Sequence, residues 1–234
     1  MILEKRIGQI LSDAGIEKFG FVSKVLYDDK APSQHRISDL LATAQSALVY
    51  ILPLNRHIVD RFPQDFTGDA YDTYAEEKKT VSEKLASVGE RLAATFKENG
   101  FDAIVVPKGS RDYMGWISLK HLSCYAGLGV LGRNSLLLNP EYGPCFRISA
   151  VLTDYDPTSF NTFIDGKRVC EECNSCITNC PAHALEIPGE GEIYSISKEK
   201  CHKYFCEMRG IEYNSENANV NCGLCMRVCP VGDR

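Results

Sequence analysis

No apolar run in this chain approaches the roughly 18–20 residues that a bilayer-spanning helix needs, so no transmembrane helix is expected. A basic surplus is missing as well: 26 Lys and Arg stand against 31 Asp and Glu, a formal charge of −5. Neutralising a phosphate backbone takes clustered Lys and Arg, so this balance argues against a nucleic-acid partner. Low-complexity tracts and long repeats are also absent. The opening stretch MILEKRIGQILSDAG lacks the layout of an export signal and reads as an amphipathic helix; a cytoplasmic location is the expectation.

What is present suffices for one sizeable core and a small appended module: 234 residues, 44% of them hydrophobic. Leu3, Ile7, Ile10 and Leu11 share one helical face, and Gly15 follows as a stop. Short β-rich runs are predicted at Phe19 to Ser23, Ala47 to Leu54, Ala103 to Pro107, Ser135 to Leu138 and Arg147 to Thr153. Between the second and third, Val81, Leu85, Val88, Leu92 and Phe96 recur at helical spacing until Asn99-Gly100. Helices alternating with strands predict an α/β-type layer domain over 1–158. After the Asp-, Pro- and Thr-rich stretch that follows Asp154, cysteine density rises abruptly, and 159–234 is read as a second domain. The whole is an α+β protein. Apolar runs in the tail are too short for an independent core, so metal centres must hold it together.

Nine of the eleven cysteines lie in that tail. In a reducing compartment their short spacings favour metal over disulfides. Cys170, Cys173, Cys176 and Cys180 precede Pro181 in the pattern C-x2-C-x2-C-x3-C-P, the bacterial ferredoxin spacing, in which the fourth thiolate serves the other cluster. A second run, Cys222, Cys225, Cys229 and Pro230, lacks the leading cysteine, so a ligand has to come from Cys201 or Cys206. The reading is two 4Fe–4S clusters: Cys170, Cys173, Cys176 and Cys229 around one, and Cys180, Cys201, Cys222 and Cys225 around the other, with Cys206 the alternative to Cys201. Zinc, which prefers paired CxxC knuckles, fits crossed Cys-Pro runs less well. Ala182 to Leu185 and Val231-Gly232 are expected to shield the clusters from water.

Gly127, Gly129 and Gly132 spell G-x-G-x-x-G, but no suitable strand leads into them and no acidic ribose partner follows at the right distance. They are read as points of close backbone approach, either to a large cofactor or to a packed neighbour. Cys124 and Cys145 read as small buried hydrophobes. Tyr71, Tyr74 and Trp116 are core aromatics by default, or edges of a tetrapyrrole pocket.

The segment AGLGVLGRNSLLLNPEYGP, then AVLTD, the CxxCxxCxxxCP run, the isolated cysteine of KCHKY, and CGLCMRVCP together resemble the epoxyqueuosine reductases and, more distantly, the corrinoid-dependent reductive dehalogenases. The resemblance is closest over about 100–234. It implies a nitroreductase-like, corrinoid-binding first domain, a ferredoxin-like second one, and electrons passing from the clusters to a cobalamin for reduction of a small or modified-nucleoside-like substrate. It also favours Cys201 over Cys206. Val130 stands where the family commonly has Trp, and the helical-repeat extension that epoxyqueuosine reductases carry after the second cluster does not follow here, so a short relative without tRNA recognition is expected. Aligned with the family's proton donor are Tyr113 and, beside it, Asp112; a solvated turn is the plainer account of the latter. Lys120, His121, Gly127, Gly129, Gly132 and Arg133 are the candidate cofactor-binding residues. An electron donor such as ferredoxin or flavodoxin is implied. The alternatives are a non-catalytic electron-transfer partner of another redox enzyme, or a reductase using FMN.

Overall fold

The computed structural model describes residues 2–61, 68–107, 116–157, 159, 169–190, 192–213 and 222–232. In chain order the elements are α1 (Ile2–Asp13), β1 (Lys18–Ser23), α2 (Lys24–Asp28), α3 (Ile37–Leu40), β2 (Ser46–Pro53), α4 (Arg56–Arg61), α5 (Gly68–Glu98), β3 (Ala103–Val105), α6 (Leu119–Tyr125), β4 (Val130–Leu131), β5 (Leu137–Leu138), β6 (Phe146–Thr153), α7 (Ser175–Thr178), β7 (Leu185–Glu186), β8 (Ser195–Ile196), α8 (Lys198–Arg209) and α9 (Leu224–Arg227). Among the described residues, no helix is long and apolar enough to cross a membrane.

The chain divides into two compact units that are not consecutive in sequence. The first comprises Met1–Pro53, Thr80–Leu128 and Phe146–Ile164; the second comprises Leu54–Lys79, Gly129–Cys145 and Asp165–Arg234. The cysteine-rich unit is therefore more than the tail: it draws in 54–79, including the start of α5, and 129–145.

In the first unit a four-stranded sheet runs β1-β2-β6-β3, with every neighbouring pair antiparallel. Strand β2 is central, and all but its last residue are buried, as its near-continuous apolar run SALVYILP requires when both faces are covered. Along α5, Val81, Leu85, Val88, Leu92 and Phe96 form the buried stripe foreseen from their spacing. Gly89 lets this helix approach the sheet closely, since an added Cβ would lie 2.7 Å from Tyr50 Oη and 3.0 Å from Val105. The Tyr50 hydroxyl, wholly buried, donates to the Leu85 carbonyl at 3.1 Å and also lies 3.1 Å from Ser149 Oγ, so the aromatic anchor leaves no polar atom stranded. On α1, Leu3, Ile7, Ile10 and Leu11 are buried as their pattern demands. The helix stops where Gly15 takes φ +70°, the left-handed conformation that suits glycine.

The second unit holds α4, the start of α5 and the three-turn helix α8, but its cysteine loops have little regular structure. Its hairpins β4–β5 and β7–β8 have two residues per strand, and α7 and α9 are single turns. The strand expected from Ser135 shortens to Leu137–Leu138, because Ser135 itself adopts φ +59° and belongs to the turn.

Candidate iron–sulfur site

In the second unit, Cys170, Cys173, Cys176 and Cys229 line one pocket together with Asn134, Val169, Pro230 and Val231. Cysteines from two separate stretches of the sequence thus converge on one space. Burial, followed by the proximity of Cys170, Cys229 and Cys173, pushes the Cys176 thiol up to about 11. Burial likewise raises the Cys229 thiol, and a cationic iron core is what would stabilise buried sulfurs as thiolates, so the donor set suits a cluster. Val130, Leu138 and Cys229 pack as one apolar group with Cys170 and Val231 against it, placing the β4–β5 hairpin over the pocket.

Cys201, Cys222, Cys225 and Cys180 form the other group. Cys201 and Cys222 share a hydrogen bond that draws Cys222 down and Cys201 up, and burial together with Cys225 and Cys180 adds to the rise at Cys201. Burial first, then Cys222, Cys176 and Cys180, raises Cys225. Cys206 sits apart: buried on α8, its sulfur is 3.6 Å from His202 Nε2. Helical geometry accounts for the difference. Cys201 is in the first turn of α8, whose N-cap Ser197 accepts from the Lys200 N–H at 3.2 Å, while Cys206 lies more than one turn further along. Among the described residues no three His, Cys, Asp or Glu side chains converge as they would on a single metal ion. A four-iron cube spreads its thiolates around its corners and needs no such convergence.

Backbone N–H groups point at the sulfurs. Ala184 N–H donates to Cys180 Sγ at 3.3 Å, Val231 N–H bonds Cys229, and Leu224 N–H bonds Cys222. Ala184 and Leu185 are buried, whereas Ala182 is half-buried and His183 exposed.

The segment 129–145 braces both loops. Arg133 Nη1 donates to Asn174 Oδ1 at 2.6 Å and to the Cys173 carbonyl at 3.3 Å, and Nη2 to the Glu171 carbonyl at 3.3 Å. Asn134 Nδ2 donates to the Cys225 carbonyl at 3.3 Å. Arg133, a candidate cofactor residue by sequence, thus holds the first cysteine loop. Gly129 and Gly132 meet packed neighbours: a Cβ on Gly129 would collide with the Leu138 carbonyl, and one on Gly132 would come within 2.6 Å of Leu138 and 2.8 Å of Asn134. At Gly143, φ +57° and the Val231 carbonyl leave no room for a side chain. Gly143→Ala is expected to cost about 2 kcal/mol or more through strain and the displaced chain after Cys229, measurable as a lower urea midpoint.

Lys120, His121 and Gly127 lie in the first unit. Lys120 and His121 are on α6, half-buried, with His121 Nδ1 2.5 Å from Ser118 Oγ; Gly127 takes φ +69° just after that helix. Tyr113 and Asp112 lie outside the described residues. Trp116 offers its carbonyl to His35 Nδ1 at 3.3 Å. Cys124 and Cys145 are buried, as expected. Tyr71 and Tyr74 are core aromatics of the second unit, 5.8 Å apart in an edge-on pair, and Tyr71 also packs on Phe205.

Sequence reasoning passed over Arg56 and Lys78. Arg56 Nη1 donates to Cys145 Sγ at 3.1 Å and Nη2 to the Arg227 carbonyl at 3.3 Å. Lys78 Nζ lies 4.4 Å from the centre of the Tyr74 ring. Neither falls in a motif, and nothing in local spacing marks them.

A family model described as a 4Fe-4S dicluster domain matches residues 169–232. An epoxyqueuosine reductase of Prochlorococcus marinus (strain NATL2A) is 26% identical over 213 residues, covering 86% of this chain and 62% of that protein. The chain resembles the epoxyqueuosine reductases. Of eight curated epoxyqueuosine reductases that it matches, it spans between 29% and 62% of their length. A crystal structure of a selenomethionine-labelled epoxyqueuosine reductase aligns over 97% of this chain and 65% of its own, with TM-score 0.63 and 19% identity. A reductive dehalogenase whose structure suggests a mechanism for B12-dependent dehalogenation aligns over 96% of this chain and 31% of its own, with TM-score 0.69 and 22% identity. At these identities the structural likeness speaks for the fold. None of these similarities points to FMN.

Proposed function

We propose that this chain is an iron–sulfur reductase that passes low-potential electrons through two 4Fe–4S clusters to a corrinoid held by its nitroreductase-like part. The observation that carries this reading is the gathering of Cys170, Cys173, Cys176 and Cys229 around one pocket. Cys180, Cys201, Cys222 and Cys225 would hold the second cluster. When bound, the clusters supply one-electron transfer and the corrinoid a strongly reducing cobalt centre.

The chain's own residues position and insulate these groups. Arg133 and Asn134 fix the two cysteine loops through side-chain bonds to their backbones. Ala184, Val231 and Leu224 donate to ligand sulfurs, and Val130 and Leu138 keep water from the first set. Lys120, His121 and Gly127 are the residues proposed to meet the corrinoid, and Tyr113 or Asp112 the proton donor to a substrate anion. The corrinoid reading is supported by the likeness to a B12-dependent dehalogenase, and a modified-nucleoside-like substrate by the epoxyqueuosine reductases. The electron donor would be a small redox protein such as ferredoxin or flavodoxin.

Iron and sulfide analysis of anaerobically prepared protein should give about eight of each per chain. Titration with cob(II)alamin should then produce a saturable shift of its visible spectrum. Zinc in place of iron would end the reading altogether, and full clusters without any corrinoid response would leave an electron-transfer partner instead of a reductase.

A further inference from the structure

Within the cysteine-rich unit, segment 54–79 contains no cysteine yet brings two cations to the ligand loops. Arg56 is the better fixed. Its side chain is 15% exposed, and all three guanidinium nitrogens are engaged: Nε with Asp60 Oδ1 at 3.0 Å and Oδ2 at 3.1 Å, Nη1 with Cys145 Sγ at 3.1 Å, and Nη2 with the Arg227 carbonyl at 3.3 Å. Arg227 belongs to the three residues between Cys225 and Cys229, so the guanidinium is tied to the loop that delivers Cys229 to the pocket. The buried Cys145 thiol, pushed up to about 11 chiefly by desolvation, stays neutral and does not cancel the charge.

We propose that Arg56 sets the reduction potential of the cluster held by Cys170, Cys173, Cys176 and Cys229. The inference rests on the cluster reading above. One-electron reduction of a 4Fe–4S cluster adds one negative charge, breaks no bond and moves no proton, so a fixed cation nearby stabilises the reduced form more than the oxidised one. In a water-poor setting that preference is weakly screened and the potential rises. Asp60, on the other side of the guanidinium and 42% exposed, opposes it in part. The cation beside the other group is Lys78, half-buried over the Tyr74 ring and near Cys222.

The test is a dye-mediated redox titration of the full-length anaerobic protein, followed by EPR, with iron counted for every variant. Arg56→Met should make one of the two clusters at least tenfold harder to reduce at a fixed potential, a fall of about 59 mV or more for a one-electron couple. Arg56→Lys, which keeps the charge and loses the fork, should recover most of that shift. Asp60→Asn should move the same cluster by a smaller amount the opposite way. Lys78→Met should leave that cluster unmoved. A purely structural Arg56 would instead lose iron equally in the Met and Lys variants, with Asp60→Asn silent, and that pattern overturns the proposal. So do full clusters whose potentials are the same in wild type, Arg56→Met and Asp60→Asn. If Arg56→Met does not assemble, the upward shift in Asp60→Asn decides. Wild-type protein without clusters would show the underlying cluster reading to be at fault, which the iron count reports separately.

Discussion

Cys201→Ser should remove close to half the iron from the anaerobic protein, about four atoms of an expected eight, and abolish one of two EPR signals, whereas Cys206→Ser should leave both intact. The two cysteines differ by five positions on one helix. That separation turns them to different surroundings: Cys201 shares a hydrogen bond with Cys222 and feels Cys225 and Cys180, while Cys206 faces His202. A serine oxygen is a poorer ligand to iron than a thiolate, and Cys180, Cys222 and Cys225 alone would leave one corner of the cube without a sulfur ligand. Loss of that cluster should also slow any reduction that depends on electrons passing through both. Equal iron in the two variants would refute the assignment, and loss only in Cys206→Ser would exchange the two roles.

Much of this arrangement was open to a reading of local pattern. The ferredoxin spacing singles out candidate ligand cysteines because a cluster's geometry is written into the short intervals between them, and four of those candidates line one pocket. The stripe Val81 to Phe96 and the face Leu3 to Leu11 are buried because a helix with one apolar side must cover it. Periodicity could not reveal what is brought in from a distance. Arg56 reaches Arg227 across 171 residues and Asn134 reaches Cys225 across 91, and neither contact leaves any trace in the spacing of its neighbours. The glycines show the limit from the other side. G-x-G-x-x-G is compatible with a cofactor or a packed chain, and only the positions of Leu138 and Asn134 beside Gly129 and Gly132 reveal what crowds them. Cys145 illustrates a third case, since burial was foreseeable for a free cysteine but the guanidinium on its sulfur was not.

Removing the iron should unfold most of the cysteine-rich unit and spare the sheet of the first. Around the cysteine loops the second unit has only two-residue strands and single-turn helices, and several of the buried side chains there are the proposed ligand cysteines: Cys176, Cys222 and Cys229 are each under a tenth exposed. Without metal, those positions supply little hydrophobic gain to set against the entropy of ordering the loops. The first unit keeps a buried central strand, a long amphipathic helix and the Tyr50 hydrogen bonds, none of which involves a ligand cysteine. Protons compete with iron for sulfur, so acid and chelator should act in the same direction. Hydrogen exchange on chelator-treated protein should show protection lost by orders of magnitude across 169–186 and 222–232 while β2 and β6 stay protected. Limited proteolysis should cut first in the same stretches. Uniform retention of protection after complete iron removal would mean that side-chain packing holds this unit, and the thiolates would then be passengers in its fold.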